Sequence, residues 1–565
     1  MSVQNRITGK EYSISRIFSS DFDYYIPKYQ RPYAWTKEEA GTLFDDLYKF
    51  YCENPKDNYF LGSIVLVKSE TNSHAEVIDG QQRLTTLTIL LACLAYTMSG
   101  NIQQNCLDYL RERGNDLEGL KPTPRLHLRD KDQPFFESYI QNLNLDKLLS
   151  INASEIKTEA QQRIYENCTL FLDNIKEKFQ DKKLLQSFCS FLVTRCYLVV
   201  VYTASQDSAF RVFSVLNSRG LDLQTTDILK SEIIGSIPED QQQKYTDLWE
   251  ELEIQTSRTG FNDVFMHIRT IFAKNKQKKS LLEEFKEYVS QKFEPDNLIE
   301  KIIKPYTSAY NMLKKGNYPS NNNADKINNL LNWLNKFDNS DWLPVAMKFY
   351  TENYNDSEYI LWFTQKLERL ASYLYATSKD VNKRISRYSL ILAEIEQNPN
   401  HNLSNPLKSI ELTKDEIKEF LAALNGNIYT MIARRRNYII LRLNDFVSDG
   451  ASEIQSNIFT IEHVLPQTIT PDSEWEKNWP KIDDREKWLN KIANLVPLTK
   501  YHNSAAQNYD FNKKKDCYFK NAKGVTSYPL TTQVLMESSW TPEVVECRQN
   551  KLLEIFKDKW ELTNI

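Results

Sequence analysis

Glycine is scarce in this chain, at 14 of 565 residues, and no long low-complexity segment interrupts it. A chain so short of the most permissive backbone residue reads as mostly helical and continuously folded. The eight cysteines form no C-x-x-C pair. That removes a zinc ribbon and a dithiol redox motif and leaves reduced thiols, as in the cytosol. Long apolar runs are missing too. The longest, Leu87 to Tyr96, is interrupted by Thr88 and is too short to span a bilayer. The start, Met1-Ser2-Val3-Gln4-Asn5-Arg6, has no apolar signal core. The expectation is a cytoplasmic protein with no membrane partner. Strong charge of one sign is absent as well. With a net charge of −4 no global positive field attracts nucleic acid, so any such partner must meet local basic patches. No repeat of fixed period is found, and only six histidines occur.

What is present is ordinary in bulk, with 41% hydrophobic and 26% charged residues. The length exceeds one core and implies roughly two to four domains. Three segments differ in pattern. Residues 1–235 alternate strands and helices, residues 236–425 carry helical periodicity, and residues 426–565 change again. The predicted fold class is α+β: an N-terminal α+β domain, a helical middle and a largely helical C-terminal domain.

The chain is organised around Val77-Ile78-Asp79-Gly80-Gln81-Gln82-Arg83-Leu84, which runs on into an apolar helix. It reads as strand, tight polar loop and buried helix. Gly80 sits where the chain must turn sharply and lets backbone N–H groups approach a ligand. A helix starting near Gln82 aims its unpaired N–H groups and positive dipole end at that loop, which suits a phosphate. Arg83 adds a forked cation, and Asp79 can hold a metal ion, a sugar hydroxyl or a water. By spacing alone the same letters also describe a surface turn before a core helix. Upstream, Phe22 to Ile26 looks extended, and Thr36-Lys37-Glu38-Glu39 is a capping box that starts a helix at Lys37 with Ala40, Leu43, Phe44, Leu47 and Phe50 inward. Tyr59 to Val67 and Leu198 to Tyr202 read as strands. Arg31, beside Gln30, can fold onto the same phosphates or lie at the surface. Phe210 to Leu216 begins a helix stopped at Gly220, where Asn217 and Arg219 either complete the pocket or only cap the helix.

In the last segment Arg434, Arg435, Arg436 and Arg442 crowd one helix, either as a phosphate-contacting face or as salt-bridged scaffold. Lys513, Lys514 and Lys515 form a second basic cluster. Ile458 to Pro466 reads as a strand ending in the pair Glu462-His463, followed by an insert with Trp475, Trp479 and Trp488. Cutting a phosphodiester needs a base near neutral pH and a hard cation held by oxygen. His463 suits the first task, and Glu462 with the amide of Asn503 suits the second. Asn494 can pin the loop that carries His463. A lone Glu-His pair is also a common strand end.

Three stretches resemble, in order, the ParB-like nucleotide-hydrolysing domain of GmrS/GmrD-type restriction enzymes: Ile26-Pro27-Lys28-Tyr29-Gln30-Arg31-Pro32-Tyr33-Ala34-Trp35, Ile78 to Thr86, and Phe213 to Leu223. Ile461-Glu462-His463-Val464-Leu465-Pro466-Gln467, Asn494-Leu495, Asn503 and Asn508, with Phe511 and Lys514, resemble the ββα-metal (HNH) nuclease half of the same enzymes. The family has Gly before that Asn-Leu; this chain has Ala493.

The resemblance implies a nucleoside triphosphate, with guanosine triphosphate favoured, bound by Gln30, Arg31, Asp79, Gly80, Gln81, Gln82, Arg83, Asn217 and Arg219. Asp79 and Arg83 would serve its hydrolysis. It implies a magnesium or manganese ion on Glu462 and Asn503, with His502 the alternative to Asn503. His463 is then the general base and Asn494 the structural asparagine of the catalytic centre. Arg434, Arg435, Arg436, Lys513 and Lys514 are expected to contact DNA. The implied protein is a nucleotide-regulated endonuclease of modification-dependent phage defence. A nucleotide-switched DNA-binding regulator with an inactive centre and an RNase toxin of abortive infection are the alternatives. The nucleotide's role, the DNA mark and a homo-oligomer stay open.

Overall fold

The computed structural model describes residues 7–563 except 55, 71, 115–116, 118–120, 206–207, 210–211, 213–224, 449–458, 500–508 and 520–527. The fold is mixed α+β. It divides into two compact units, Met1–Ile254 with Glu294–Ile299, and Gln255–Phe293 with Glu300–Ile565. No helix among the described residues is long and apolar enough to cross a membrane.

The first unit is built on a six-stranded mixed sheet, in the order Thr8–Ser13, Cys196–Thr203, Tyr59–Val67, His74–Asp79, Asp23–Tyr25, Leu126–His127. Its central strands are rich in Val, Ile, Leu and Tyr, which pack well on a pleated surface. Cys196–Thr203 runs antiparallel to Thr8–Ser13 and parallel to Tyr59–Val67, so the sheet closes through a residue pair distant in sequence, Val200 with Ile64. The predicted capping box forms: the Thr36 side chain accepts from the Glu38 N–H, and the Glu39 carboxylate accepts from the Thr36 N–H at 2.7 Å. Helix Lys37–Glu53 then buries Ala40, Phe44 and Leu47, with Leu43 and Phe50 packed at the edge of the core. Helix Gln81–Thr97 buries 14 of its 17 residues. A helix apolar on every side belongs to a core, and this one is the spine of the unit.

The second unit begins as a stack of helices, among them Lys304–Lys315, Leu343–Asn353, Ser357–Ala376 and Ala433–Val447. Helix Ser357–Ala376 buries Ile360, Phe363, Leu367, Leu370 and Leu374 on one stripe, as its periodicity predicts. After residue 458 the chain forms strands Phe459–His463 and Leu495–Thr499, which pair antiparallel with Leu495 opposite His463. Helix Phe511–Phe519 follows. Between the strands Trp475 and Trp479 enter a core with Val464, Val496, Phe511 and Trp540. Each of these tryptophans also satisfies its indole N–H: Trp475 donates to Tyr509 O at 2.9 Å, and Trp479 to Trp540 O at 2.8 Å.

One polar cluster in the helical stack decides the role of Arg442. Its guanidinium is buried and donates to Glu368 Oε1 at 3.0 Å and to Asp445 Oδ2 at 2.5 Å. Glu368 is 1% exposed and also accepts from Tyr438 at 2.8 Å and from Trp560 Nε1 at 2.8 Å. Arg442 is therefore scaffold and turned away from any phosphate. Removing the carboxylate leaves the buried Arg442 with Asp445 alone and takes the acceptor from the buried Tyr438 hydroxyl and Trp560 indole. We expect Glu368→Ala to lower stability by about 3–5 kcal/mol, read as a shift in the urea midpoint of the second unit; a variant as stable as the parent would disprove this reading of the cluster.

Candidate functional site

The strand–loop–helix of the first unit has the predicted outline. Strand His74–Asp79 ends at Gly80, which holds φ 92° and ψ 8° as the residue before helix Gln81–Thr97. A Cβ on Gly80 would lie 2.4 Å from Ile64 Cγ2, so both the backbone turn and the space demand glycine there. The glutamines that follow are buried and face the protein. Gln82 Oε1 accepts from the N–H groups of Ala34 at 2.8 Å and Trp35 at 3.3 Å, and Gln82 Nε2 donates to Pro32 O at 3.0 Å. Gln81 Nε2 donates to Gln30 Oε1 at 3.2 Å, and Gln30 Nε2 donates to Ile78 O at 3.0 Å. These three amides fasten the Pro27–Trp35 loop onto the helix start, so their side chains are positioning groups. Tyr33 adds a hydroxyl contact to Thr86 at 2.8 Å and accepts from Asn167 at 2.8 Å.

Three charged groups remain around the turn. Arg83 Nη1 donates to Ser63 O at 3.0 Å and lies against Gly62, where a Cβ would meet its Cζ at 3.1 Å. Burial pushes the Asp79 carboxyl above its usual range, while the Gly80 N–H, Arg83 and Arg31 pull it back. Asp79, Arg31 and Arg83 thus share one electrostatic neighbourhood at a helix N-terminus. Asn217 and Arg219 lie outside the described residues. Sequence reasoning missed Arg129, which is buried, donates to Gln30 O at 3.2 Å and pairs with Asp132 at 2.9 Å and with Glu250. Lys230, 4% exposed at its side chain, shares Glu250 at 3.0 Å.

In the second unit His463 ends its strand, 6% exposed, with Nε2 3.4 Å from Asn490 Oδ1 and its ring edge-on to Tyr429 at 4.1 Å. An amide oxygen only accepts, so this assignment puts the proton on Nε2 and the lone pair on Nδ1. Burial, with help from the charges of Lys514 and Arg436, depresses the imidazole pKa to about 4. The ring is therefore neutral near pH 7. Its neighbour Glu462 is largely buried, which raises its carboxyl pKa against the opposing pull of Lys514.

Asn494 is fully buried and uses its whole amide. Oδ1 accepts from Leu465 N at 2.7 Å and Trp540 Nε1 at 3.1 Å, while Nδ2 donates to Leu489 O at 2.9 Å and Leu465 O at 3.2 Å. It pins the loop after His463, as expected, and no atom of it is left for a substrate. Ala493, where the resembling pattern has glycine, is absent from the residues at positive φ, so alanine fits its backbone. Asn503, His502 and Asn508 lie outside the described residues. Among the described residues no group of three or more His, Cys, Asp or Glu gathers as a metal cluster.

The basic residues separate by position. Arg434 has a side chain 79% exposed, near Asp338 at 3.9 Å. Arg435 donates to Ser378 Oγ at 2.6 Å and lies over the Tyr375 ring. Arg436 lies 4.4 Å over Tyr429, the same ring that touches His463. Lys513 is exposed and stands over Tyr509. Lys514, expected on a DNA-facing surface, is instead 1% exposed, with Nζ 2.7 Å from Glu462 Oε1 and 2.7 Å from His463 O. It follows the buried Phe511 by three positions, which turns it to the inward face of its helix. Tyr429 and Asn490 were also missed; nothing in their local sequence signals a contact with His463.

The family model described as GmrSD restriction endonuclease, N-terminal domain matches residues 14–234. The one described as GmrSD restriction endonucleases, C-terminal domain matches residues 414–555. No curated protein matches the chain.

The Lys514–Glu462 pair yields a test of its own. Lys514→Met keeps the aliphatic stem and strips the charge, leaving a buried carboxylate alone. We expect a loss of about 3–5 kcal/mol, partly restored in the Glu462→Gln/Lys514→Met double variant. Additive losses in urea unfolding would mean the two groups do not interact.

Proposed function

The chain belongs to the GmrSD restriction endonuclease family, and from that premise we propose a nucleotide-regulated, metal-dependent DNA endonuclease of a modification-dependent defence system. The observation that carries the nuclease reading is His463, an imidazole held neutral beside the carboxylate of Glu462 at the end of one strand of an antiparallel pair, with a helix after it. Strand, strand and helix in that order are what a ββα-metal site requires.

The residues present suit a magnesium or manganese ion. Lys514 holds Glu462 Oε1, and the second carboxylate oxygen is the hard donor that the ion would use. Glu462, with Asn503 or His502, would hold the ion. When bound, the ion supplies charge neutralisation on the scissile phosphate and its leaving oxygen. The protein groups do the rest. Nδ1 of His463 takes a proton from the attacking water, an oxygen–phosphorus bond forms, and the bond to the leaving sugar oxygen breaks. Asn490 orients the ring through Nε2, and Tyr429 keeps it from turning. Arg436 and the exposed Arg434 and Lys513 contribute positive charge for the DNA backbone.

In the first unit the proposed ligand is a nucleoside triphosphate. Its phosphates would lie at the start of helix Gln81–Thr97, near Arg31 and Arg83, with Asp79 placed to hold a water or a phosphate-bound cation. The link from this loop to Glu250 through Gln30 and Arg129 supports regulation, because a nucleotide that moves the loop would also shift the helical turn carrying Glu250, which precedes the kink at Ser257.

Two outcomes are expected. Folded His463→Ala at saturating magnesium or manganese should nick supercoiled DNA about a hundred- to ten-thousand-fold more slowly than the parent. A rate within a few-fold of the parent would remove His463 as the base, and labelled RNA offered in parallel decides the sugar preference. Asp79→Asn, which keeps shape and hydrogen bonding, should abolish triphosphate hydrolysis and erase any nucleotide effect on the cutting rate. Cutting curves that never respond to any common triphosphate would mean that the two units work independently.

A further inference from the structure

Two consecutive residues of helix Pro542–Lys559, Arg548 and Gln549, hold the peptide groups of Ala493. From this grip we propose that Gln549 is a positioning residue of the nuclease centre, setting the two turns that flank the His463 imidazole. The inference rests on the endonuclease reading and deepens it, because that reading gives this helix no role.

The Ala493 N–H donates to Gln549 Oε1 at 3.0 Å, and the Ala493 carbonyl accepts from Arg548 Nε at 3.2 Å. Ala493 directly precedes Asn494. Holding it fixes the turn from Asn490 to Asn494, and Asn490 Oδ1 lies 3.4 Å from His463 Nε2. The same glutamine reaches the other side of the imidazole. Gln549 Nε2 donates to Asn425 Oδ1 at 2.9 Å, at the end of helix Lys414–Leu424. Asn425 opens the short connection to Tyr429, whose ring centre is 4.1 Å from that of His463. The Tyr429 N–H in turn donates to Asn490 O at 3.2 Å, so the two turns also meet directly. One amide thus ties the residue that orients Nε2 to the ring that packs against the imidazole.

Burial makes this grip stiff. Gln549 is 1% exposed, and a buried amide whose oxygen and nitrogen are both engaged is held in one orientation. Arg548 supports it from the next position. Its guanidinium is answered by three neutral oxygens: Ala493 O, Leu530 O at 2.9 Å and Gln533 Oε1 at 3.0 Å. Burial lowers its pKa to about 10, so it stays a cation near pH 7. A buried charge held this way is a poor stabiliser, since an apolar residue of similar volume avoids its desolvation. Its rigid fork instead fixes direction. It joins the Ala493 turn to helix Pro529–Leu535, and Thr531 of that helix donates to Pro497 O in the second strand at 2.6 Å.

The test follows nicking of supercoiled DNA by the full-length protein in excess, at saturating magnesium or manganese. Gln549→Met keeps the volume and removes both amide bonds. The folded variant should cut roughly ten- to a hundred-fold more slowly. The protein concentration for half-maximal rate should stay within a few-fold, because no proposed DNA contact is altered. In a His463→Ala background the same change should slow cutting no further, since residues that act through one group are not additive. A contact that serves only the fold behaves differently: it lowers the melting temperature and leaves the rate of the folded protein unchanged. Folded Gln549→Met that cuts like the parent overturns the proposal, and so does a loss that multiplies with that of His463→Ala. If Gln549→Met does not fold, Asn425→Ala decides. Asn425 is exposed, and its truncation takes the partner from Gln549 Nε2 while Gln549 stays. It should slow cutting in the parent and not in His463→Ala, and a parent-like rate overturns the proposal. A parent protein that never cuts, or His463→Ala that cuts like the parent, removes the nuclease reading itself and this inference with it.

Discussion

A buried side-chain amide must meet all its hydrogen-bonding needs inside the protein, and in the nuclease-like half Asn494 meets that demand by holding four partners. Its oxygen and nitrogen clamp both polar groups of Leu465, two residues after His463, and reach Leu489 and Trp540. The Asn494 carbonyl accepts from Val464 N at 2.9 Å as well. The exit of the strand is therefore fixed from both sides, and the side chains of Glu462 and His463 inherit their direction from it. Any alternative placement of this loop would leave several polar groups of the core unpaired, each costing about 1–3 kcal/mol. The geometry around the imidazole is a consequence of that constraint.

The nucleotide-type loop in the other unit follows the same logic with different letters. Gln30, Gln81 and Gln82 look like ligand-binding residues because they are polar and adjacent to a glycine turn. Their amides are taken up by Ile78, Ala34, Trp35, Pro32 and each other. What they provide is the shape of the turn. The charged groups Asp79, Arg31 and Arg83 gather at the same helix start, and these are the ones the proposed nucleotide would meet. A signature can thus be mostly architecture, with its chemistry held in a minority of its residues.

Local patterns were readable wherever the cause is local. The capping box at Thr36, the turn at Gly80, the stripe from Ile360 to Leu374 and the strand ending at His463 each depend on residues within a few positions of one another. The basic clusters were unreadable for the opposite reason. Lys513, Lys514 and Lys515 are identical letters, yet successive helical residues point about 100° apart, so one is exposed, one is buried on Glu462, and one donates to Glu537 O at 3.0 Å. Arg434, Arg435 and Arg436 diverge in the same way, and Arg442 finds Glu368, a partner remote in sequence. Phase on a helix can be read only once its first inward residue is known, and Phe511 identifies itself only by packing against Trp475 and Trp540.

Burying Lys514 has an electrostatic meaning that its sequence context hides. An ammonium in a low-dielectric interior is unfavourable unless a carboxylate answers it, and a buried carboxylate has the same need. Glu462 and Lys514 answer each other: burial raises the Glu462 carboxyl above its usual range, and the Lys514 ammonium pulls it back. The same positive charge opposes protonation of His463. One buried lysine therefore acts on two neighbouring groups at once, pulling the Glu462 carboxyl down and opposing a proton on the His463 imidazole. A lysine at the surface, however close in sequence, would be screened by water and salt and could enforce neither.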